Sequence, residues 1–347
     1  MSVKTVCVCA AQVPFFSGGA ENLVSSLVRE LRARGFAAEL VQVPFKWYPR
    51  EQILKSCLAW RLLDLTESNG RKIDLVIGTK FPSYVAKHPK KVTWLIHQFR
   101  QVYDQFGTPL SDFGDSPEDR EMRAAVMRID NATLAESARI YTISRNTAQR
   151  LGQFNNLNGE PLYHPPKLWG RYRCDDYGDY LFTASRLDAA KRLDLLIRAM
   201  ARARTAARCL IAGAGPEELR LRRLIAELSL NERVQLLRYV DDEELLRLYA
   251  GCFAVAYVPF DEDYGYVTLE AFASRKPVVT VPDSGGVLEF VTDGETGYVA
   301  AGTPESLAAR IDELFAKRER CARMGEAGYE LVRNINWDDV IAKLTTV

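Results

Sequence analysis

Short apolar runs alternate with stretches of helical period along almost the whole chain, and the alternation occurs twice. Residues 3–10 form a compact apolar run, read as the first strand. After a loop at 11–17, Leu23, Val24, Leu27, Val28 and Leu31 recur at helical spacing, with Gly35 a natural stop. Residues 37–43, 73–78, 91–96 and 139–143 read as further strands, and 51–65 and 117–137 as helices between them. Residues 101–116 have no clear period and read as a long functional loop. The pattern lapses at 159–180, a linker-like stretch with Pro161, Pro165, Pro166, Gly170 and Gly178. It resumes with strands at 179–184, 209–212, 233–236, 252–258 and 277–281 and helices between them. Pro216 suits the first position of one such helix. Strands alternating with helices call for parallel sheets covered on both faces, so the fold class is α/β with two doubly wound domains.

Composition narrows the function. The chain has 347 residues, 47% apolar and 26% charged, enough to fill two cores. Its net charge of +1 argues against bulk binding of nucleic acid. Seven cysteines, an odd count without a C-x-x-C pair, fit a reduced cytoplasmic protein. Three histidines at no metal-ligand spacing give no zinc site. No leader-like segment opens the sequence, and no stretch approaches the length of a membrane span. Residues 46–61 mix Trp47, Tyr48 and Trp60 with Lys46, Arg50, Lys55 and Arg61. A helix packed on the sheet with its cations turned outward is the preferred account, and weak peripheral contact with the inner face of a membrane is the alternative.

The chemistry gathers in residues 259–279, between two apolar strands. Glu262 falls on the strand-to-helix loop, Gly265 opens the helix, and Glu270 lies inside it. Such loops lie at the carboxyl ends of parallel strands, where ligands bind, and the backbone N–H groups of residues 263–267 would attract anions. An acidic loop before a solvent-exposed helix glutamate is the plain alternative. Arg186 and Lys191 follow another strand end, where two cations can neutralise a diphosphate or simply form a solvated basic loop. Gly18 and Gly19 let backbone approach a ligand, or make a tight turn. Gly213-Ala-Gly215 lacks the third glycine of a dinucleotide fingerprint, which disfavours a nicotinamide dehydrogenase.

Glu262 and Glu270, with seven residues between them, resemble the E-x7-E signature of retaining glycosyltransferases of the GT-B fold, family 4. The likeness extends to Gly18-Gly19-Ala-Glu21, to Ser185-Arg-Leu-Asp-Ala-Ala-Lys-Arg192, to Ser284-Gly-Gly-Val-Leu-Glu289, read as another glycine-opened helix, and to Asp293-Gly-Glu-Thr-Gly297. It spans almost the whole chain and is weakest from Trp47 to Ser137. It implies two Rossmann-like domains facing a central cleft: 1–164 for the acceptor, 165–334 for the nucleotide sugar, and 335–347 as a helix crossing back. His164-Pro-Pro resembles the connection between the domains.

What the resemblance implies for the site is specific. Arg186 and Lys191 would stabilise the departing diphosphate, helped by the backbone of Gly18, Gly19 and Gly265. Glu262 would hold the donor sugar, Glu270 the ribose, and Val240, with Tyr239, the base. Gly213, Tyr264, Tyr266 and Val267 would complete the donor site. Glu21 and Ser144 would lie on the acceptor side, and His97 would line it near the reacting sugar, catalytic together with Arg186, Lys191 and Glu262. The reaction would be metal-independent transfer of a hexose, with retention, from a UDP- or GDP-linked donor to a glycan, lipid-linked acceptor or small metabolite, as in polysaccharide biosynthesis. No cofactor beyond the donor substrate is implied. A nucleotide-sugar epimerase of the same fold and a non-catalytic nucleotide-sugar binder are the rivals. Arg238 and Arg275 depart from the pattern, standing where the family usually has glycine, and the Arg275 turn must be made with ordinary dihedrals or with strain.

Overall fold

The computed structural model describes residues 3–15 and 18–346; Phe16 and Ser17, the end of the 11–17 loop, lie outside the described residues. The chain forms two units, Met1–Lys167 together with Asn336–Val347, and Leu168–Ile335. Each is an α/β Rossmann-like unit with its own sheet.

The first unit begins β1 (Thr5–Gln12), α1 (Gly19–Ala33), β2 (Ala37–Pro44) and α2 (Glu51–Leu62). A small hairpin, β3 (Glu67–Ser68) and β4 (Arg71–Lys72), precedes β5 (Leu75–Gly78) and β6 (Lys91–Leu95). Then come α3 (Pro117–Leu134), β7 (Arg139–Thr142), α4 (Arg145–Asn155) and β8 (Glu160–Pro161). The main sheet is parallel throughout, in the order β2-β1-β5-β6-β7-β8. Leu75, Val76 and Ile77 of central β5 are fully buried, as expected of a strand covered on both faces. α3 starts where Ser116 accepts the Asp119 N–H at 3.1 Å and Pro117 needs no donor of its own. β8 corrects the linker expected at 159–180, whose first residues are an edge strand. Gly159 permits it, since a Cβ there would sit 2.6 Å from the Thr142 methyl.

The second unit runs β9 (Tyr180–Ala184), α5 (Leu193–Arg202), β10 (Arg208–Ala212), α6 (Glu218–Glu227), β11 (Val234–Arg238) and α7 (Asp242–Gly251). It continues with β12 (Ala254–Ala256), α8 (Tyr266–Ala273), β13 (Val278–Thr280), β14 (Gly297–Val299), α9 (Pro304–Ala316) and α10 (Arg318–Val332). Its parallel sheet has the order β11-β10-β9-β12-β13-β14. The last helix, α11 (Trp337–Thr345), belongs to the first unit. There Trp337 meets Trp94 edge-on at 6.2 Å, and Arg34 donates to Asp338 at 2.8 Å.

Two local expectations fail. Pro216 is not the first residue of α6, because Glu217 and Glu218 donate their N–H groups to Leu187 and Gly215 and delay the helix to Glu218. Residues 284–289 make a single 3-10 turn, Gly286–Glu289, because Gly286 is pressed against the Asp263 carbonyl, where a Cβ would come within 2.6 Å.

Both arginines at glycine-like positions adopt left-handed backbone, φ 61° at Arg238 and 52° at Arg275. Arg275 closes α8: the Lys276 N–H reaches the Ala271 carbonyl at 2.8 Å, and the Arg275 N–H reaches that of Phe272 at 2.9 Å. This pattern normally ends in glycine. Here the side chain offsets the strain by an ion pair to Glu326 at 2.8 Å and by stacking 3.9 Å from the Tyr329 ring. Relief of the strain, about 1–2 kcal/mol, opposes loss of those contacts, about 1–2 kcal/mol together. Arg275→Gly should therefore leave stability nearly unchanged in urea unfolding. Arg275→Val, which loses the contacts and keeps the strain, should cost about 2 kcal/mol or more.

Candidate functional site

In each sheet the chain leaves two neighbouring central strands toward opposite sides, which opens a crevice at their carboxyl ends. In the second unit those strands are β9 and β12. The loop after β9 carries Arg186 and Lys191, and the loop after β12 carries Glu262 and Gly265. Topology therefore brings together cations and a carboxylate that are some seventy positions apart in sequence.

The β9 loop is fixed by its neighbours. Ser185 and Leu187 donate N–H groups to the carbonyls of Ala212 and Ala214 at 2.9 and 3.1 Å, and Gly213 donates to that of Arg238 at 2.6 Å. Gly213, at φ 133°, allows this stacking, since a Cβ there would lie 1.9 Å from the Ser185 carbonyl oxygen. Gly213 thus holds the site from beneath. Arg186 projects between two tethered residues, about half-exposed, with Asp188 3.7 Å away. Arg192 clamps the far end of the loop. Its guanidinium donates to the Val258 and Pro259 carbonyls at 2.9 and 2.6 Å and grips Asp283 through two nitrogens at 2.8 and 2.7 Å.

Lys191 points inward. Its ammonium contacts the Glu262 carboxylate directly and the Tyr257 hydroxyl at 3.2 Å, and that hydroxyl donates to the same Glu262 oxygen at 2.8 Å. Burial opposes charge on Lys191, but Glu262 and Tyr257 outweigh it and hold the ammonium above its ordinary pKa. The three side chains form a charge-paired cluster. Glu262 is fixed by its backbone too, donating to Ser284 at 3.2 Å and accepting from Gly286 at 2.7 Å.

Gly265, at φ 85°, caps α8. Val267 is buried, and Tyr264 is a core residue packed edge-on against Tyr266 and Phe290 at 5.5 and 6.0 Å. Glu270 accepts from the Tyr249 hydroxyl at 2.7 Å, with Tyr172 also set against it. Burial raises its pKa, while the two phenols work against that rise. Val240 is half-buried after β11, beside a well-exposed Tyr239.

The first unit has a comparable crevice between β1 and β5. Gly18 caps α1, and Glu21 accepts the Gly18 N–H at 2.9 Å while its other oxygen pairs with Lys80 after β5. Glu21 therefore orders the Gly18–Gly19 turn and holds a cation against it. Farther along the same sheet, His97 follows β6 with Nδ1 2.6 Å from the Gln98 carbonyl oxygen, which places the proton on Nδ1. Ser144 follows β7, but it is fully buried and its hydroxyl caps α4, accepting from the Thr147 N–H at 3.0 Å.

Behind His97 runs a buried polar chain. Gln98 donates to Asn155 at 3.1 Å, Asn155 to the Tyr103 hydroxyl at 3.1 Å, and Tyr103 to Asp130 at 2.7 Å. Burial pushes Asp130 up to about 7, against hydrogen bonding from Tyr103 and Tyr84. A raised carboxyl pKa means that the fold keeps a proton the unfolded chain releases near pH 4. Stability should fall as pH rises from about 4 to about 7, and Asp130→Asn should remove that slope. The variant should gain about 1–3 kcal/mol over the parent at pH 8. Urea unfolding across that range checks the sign, and equal slopes would contradict it.

Tyr257, Tyr249, Lys80 and the Arg192–Asp283 clamp escaped the sequence reasoning. Tyr257 left a signal as the one phenol in the apolar run 252–258, five positions before Glu262, and Arg192 left one as the end of the basic motif. Among the described residues, no group of three or more His, Cys, Asp or Glu side chains could hold a metal ion, and no helix is long and apolar enough to cross a membrane.

Residues 173–331 match the family model of glycosyl transferases group 1. The chain is similar to alpha-1,3/1,6-mannosyltransferase ALG2 of Mus musculus, 32% identical over 108 residues, or 31% of this chain and 26% of that protein. It is 34% identical to D-inositol 3-phosphate glycosyltransferase of Nocardia farcinica over 164 residues, 44% of this chain and 36% of that one. These matches span about a third or less of the relatives' lengths. Among solved structures, sucrose-phosphate synthase of Thermosynechococcus elongatus superposes with a TM-score of 0.78 at 17% identity, covering 98% of this chain and 97% of that one. HepE of Anabaena, solved with UDP and glucose, gives 0.71 at 17% identity over 99% and 100%. The fold is GT-B, α/β with two parallel-sheet Rossmann-like halves.

Proposed function

We propose that this protein transfers a sugar, a hexose, from a nucleotide-diphosphate donor to a carbohydrate or lipid-linked acceptor hydroxyl, with retention and without a metal. The second unit takes the donor and the first the acceptor. The observation that carries the proposal is the Lys191–Tyr257–Glu262 cluster at the switch point of the second sheet, with Arg186 on the same loop as Lys191. The group 1 match over the same unit supports it, as do relatives named as glycosyltransferases.

Donor binding exchanges partners in that cluster. The diphosphate takes the Lys191 ammonium, and Glu262 turns from the ammonium to a hydroxyl of the donor sugar. The bond from the anomeric carbon to the diphosphate then breaks, with the developing negative charge held by Arg186 and Lys191. The acceptor oxygen bonds to that carbon on the departing face, and its proton passes to the diphosphate. Glu270, recessed behind the start of α8 and polarised by Tyr249, accepts from the ribose hydroxyls.

The test is product analysis with a panel of UDP- and GDP-linked sugars and candidate acceptors, in excess chelator. Acceptor-dependent release of nucleoside diphosphate that survives chelation is expected. Loss of turnover restored by magnesium or manganese would remove the metal-independent step, and isomerised donor without transfer would replace it with epimerisation.

A further inference from the structure

α2 and α3 both pack on the short 3-10 turn Ser83–Val85, and between them lies an open trough of about 580 Å³. Leu54, Cys57 and Leu58 of α2 form one wall at i, i+3 and i+4. Ala125, Ile129 and Ala132 of α3 form the other at i, i+4 and i+7, with Val85 at the floor. The small residues of α3 leave the space unfilled, and its volume is in the range that holds a ligand.

The surroundings are apolar in the same sense. Leu58 is 57% exposed and Leu62, one turn on, is 74% exposed; Tyr48, just before the helix, is 59% exposed. Leu58 and Leu62, four positions apart, share one face of α2, so two of the eight large exposed apolar side chains among the described residues stand side by side at the trough's end of that helix. Charge at the trough favours an anion. Its lining holds Arg61, Arg128 and Glu136. Arg61 is already gripped by Glu136 through two bonds of 2.7 Å, whereas exposed Arg128 has no ion-pair partner among the described residues. Lys55 adds an exposed cation on α2, and Lys46 lies 4.7 Å over the Tyr48 ring just before that helix. An apolar trough with a leucine at its lip and one uncommitted guanidinium in its lining suits an acyl chain and its anionic phosphate, and the aromatic–basic pair just before α2 is of the kind enriched at the bilayer interface.

We propose that the α2–α3 face docks on an anionic phospholipid bilayer, with an acyl chain entering the trough and a lipid phosphate on Arg128. Electrostatics would set the dependence on anionic lipid, and leucine burial would supply the rest of the affinity. This holds whatever the enzyme transfers, because none of these residues belongs to the crevices described above.

The experiment is vesicle flotation of the whole chain at low salt, with phosphatidylglycerol mixed equally with phosphatidylcholine, and with phosphatidylcholine alone. Binding to the mixed vesicles, weak binding to the neutral ones and release by salt are expected. Leu58→Glu/Leu62→Glu should lower the partition coefficient by at least about tenfold, while Leu58→Met/Leu62→Met retains it. Arg128→Glu should weaken binding to the mixed vesicles only. Both leucines are exposed, so these variants should keep the parent's circular dichroism and melting temperature. No binding to anionic vesicles, or binding unchanged by the double glutamate variant, would overturn the proposal. So would light scattering showing a dimer that the double variant dissolves, because the face would then belong to a second copy of the chain.

Discussion

Lys191→Met should lower turnover by about 10²–10³ while the protein stays folded. The ammonium lies on the loop after β9, within the β9–β12 crevice, and contacts both a Glu262 carboxylate oxygen and the Tyr257 hydroxyl that donates to that same oxygen. Removing it takes away the inward-facing cation positioned for the leaving diphosphate. Glu262 keeps its phenol partner and its backbone anchors at Ser284 and Gly286, so the loop should hold its shape. Arg186→Met should cost less, because that guanidinium is half-exposed and water screens it. Turnover of both variants, beside their melting temperatures, checks the ranking. Near-normal turnover in Lys191→Met would remove the residue from the mechanism.

The two glutamates of the signature should separate in binding. Glu270 lies within α8 with Tyr249 donating to it and Tyr172 set against it, and a ribose hydroxyl can add a further donor. A hydrogen bond to a charged acceptor contributes about 1.5–3 kcal/mol, so Glu270→Ala should weaken a bare nucleoside diphosphate about tenfold to a hundredfold. Because burial raises the Glu270 pKa, the carboxylate is lost at higher pH than an ordinary glutamate, and affinity should begin to fall correspondingly early on acidification. Glu262→Gln should behave differently. It frees Lys191 from its ion pair, so the bare diphosphate should bind as well as before or better, while turnover drops and discrimination between donor sugars blurs. Calorimetry of both variants decides this, and equal weakening by both would refute the division of roles.

Much of the fold was legible because strands buried on both faces leave unbroken apolar runs, and the helices between them keep a 3.6 period. The boundaries of β2, α2, β7 and the start of α8 lie within a few residues of the pattern. β8 was hidden because two edge residues containing a proline carry no periodic signal. The turn at 286 was hidden because its cause is a carbonyl brought against it from residue 263.

The site was legible only where chemistry sits on contiguous residues. Gly18-Gly19-Ala-Glu21 and the Arg186–Arg192 loop stand out through the resemblance that their contiguous residues carry; read alone they allow a tight turn and a solvated basic loop. The pairing of Lys191 with Glu262, of Glu21 with Lys80 and of Arg192 with Asp283 depends on which strand lies beside which, and no local pattern encodes that. Ser144 is placed on the acceptor side by the resemblance. Its hydroxyl caps α4, the ordinary role of a serine just before a helix.

In the proposed reaction Lys191 exchanges Glu262 for a diphosphate. The most direct measurement is calorimetric titration of a nucleoside diphosphate and the matching monophosphate into the parent and into Lys191→Met. The parent should prefer the diphosphate by at least about tenfold, the worth of one charge-assisted contact. That preference should shrink toward unity in the variant. Equal affinity for the two nucleotides in the parent, or a preference that survives Lys191→Met intact, would contradict the account.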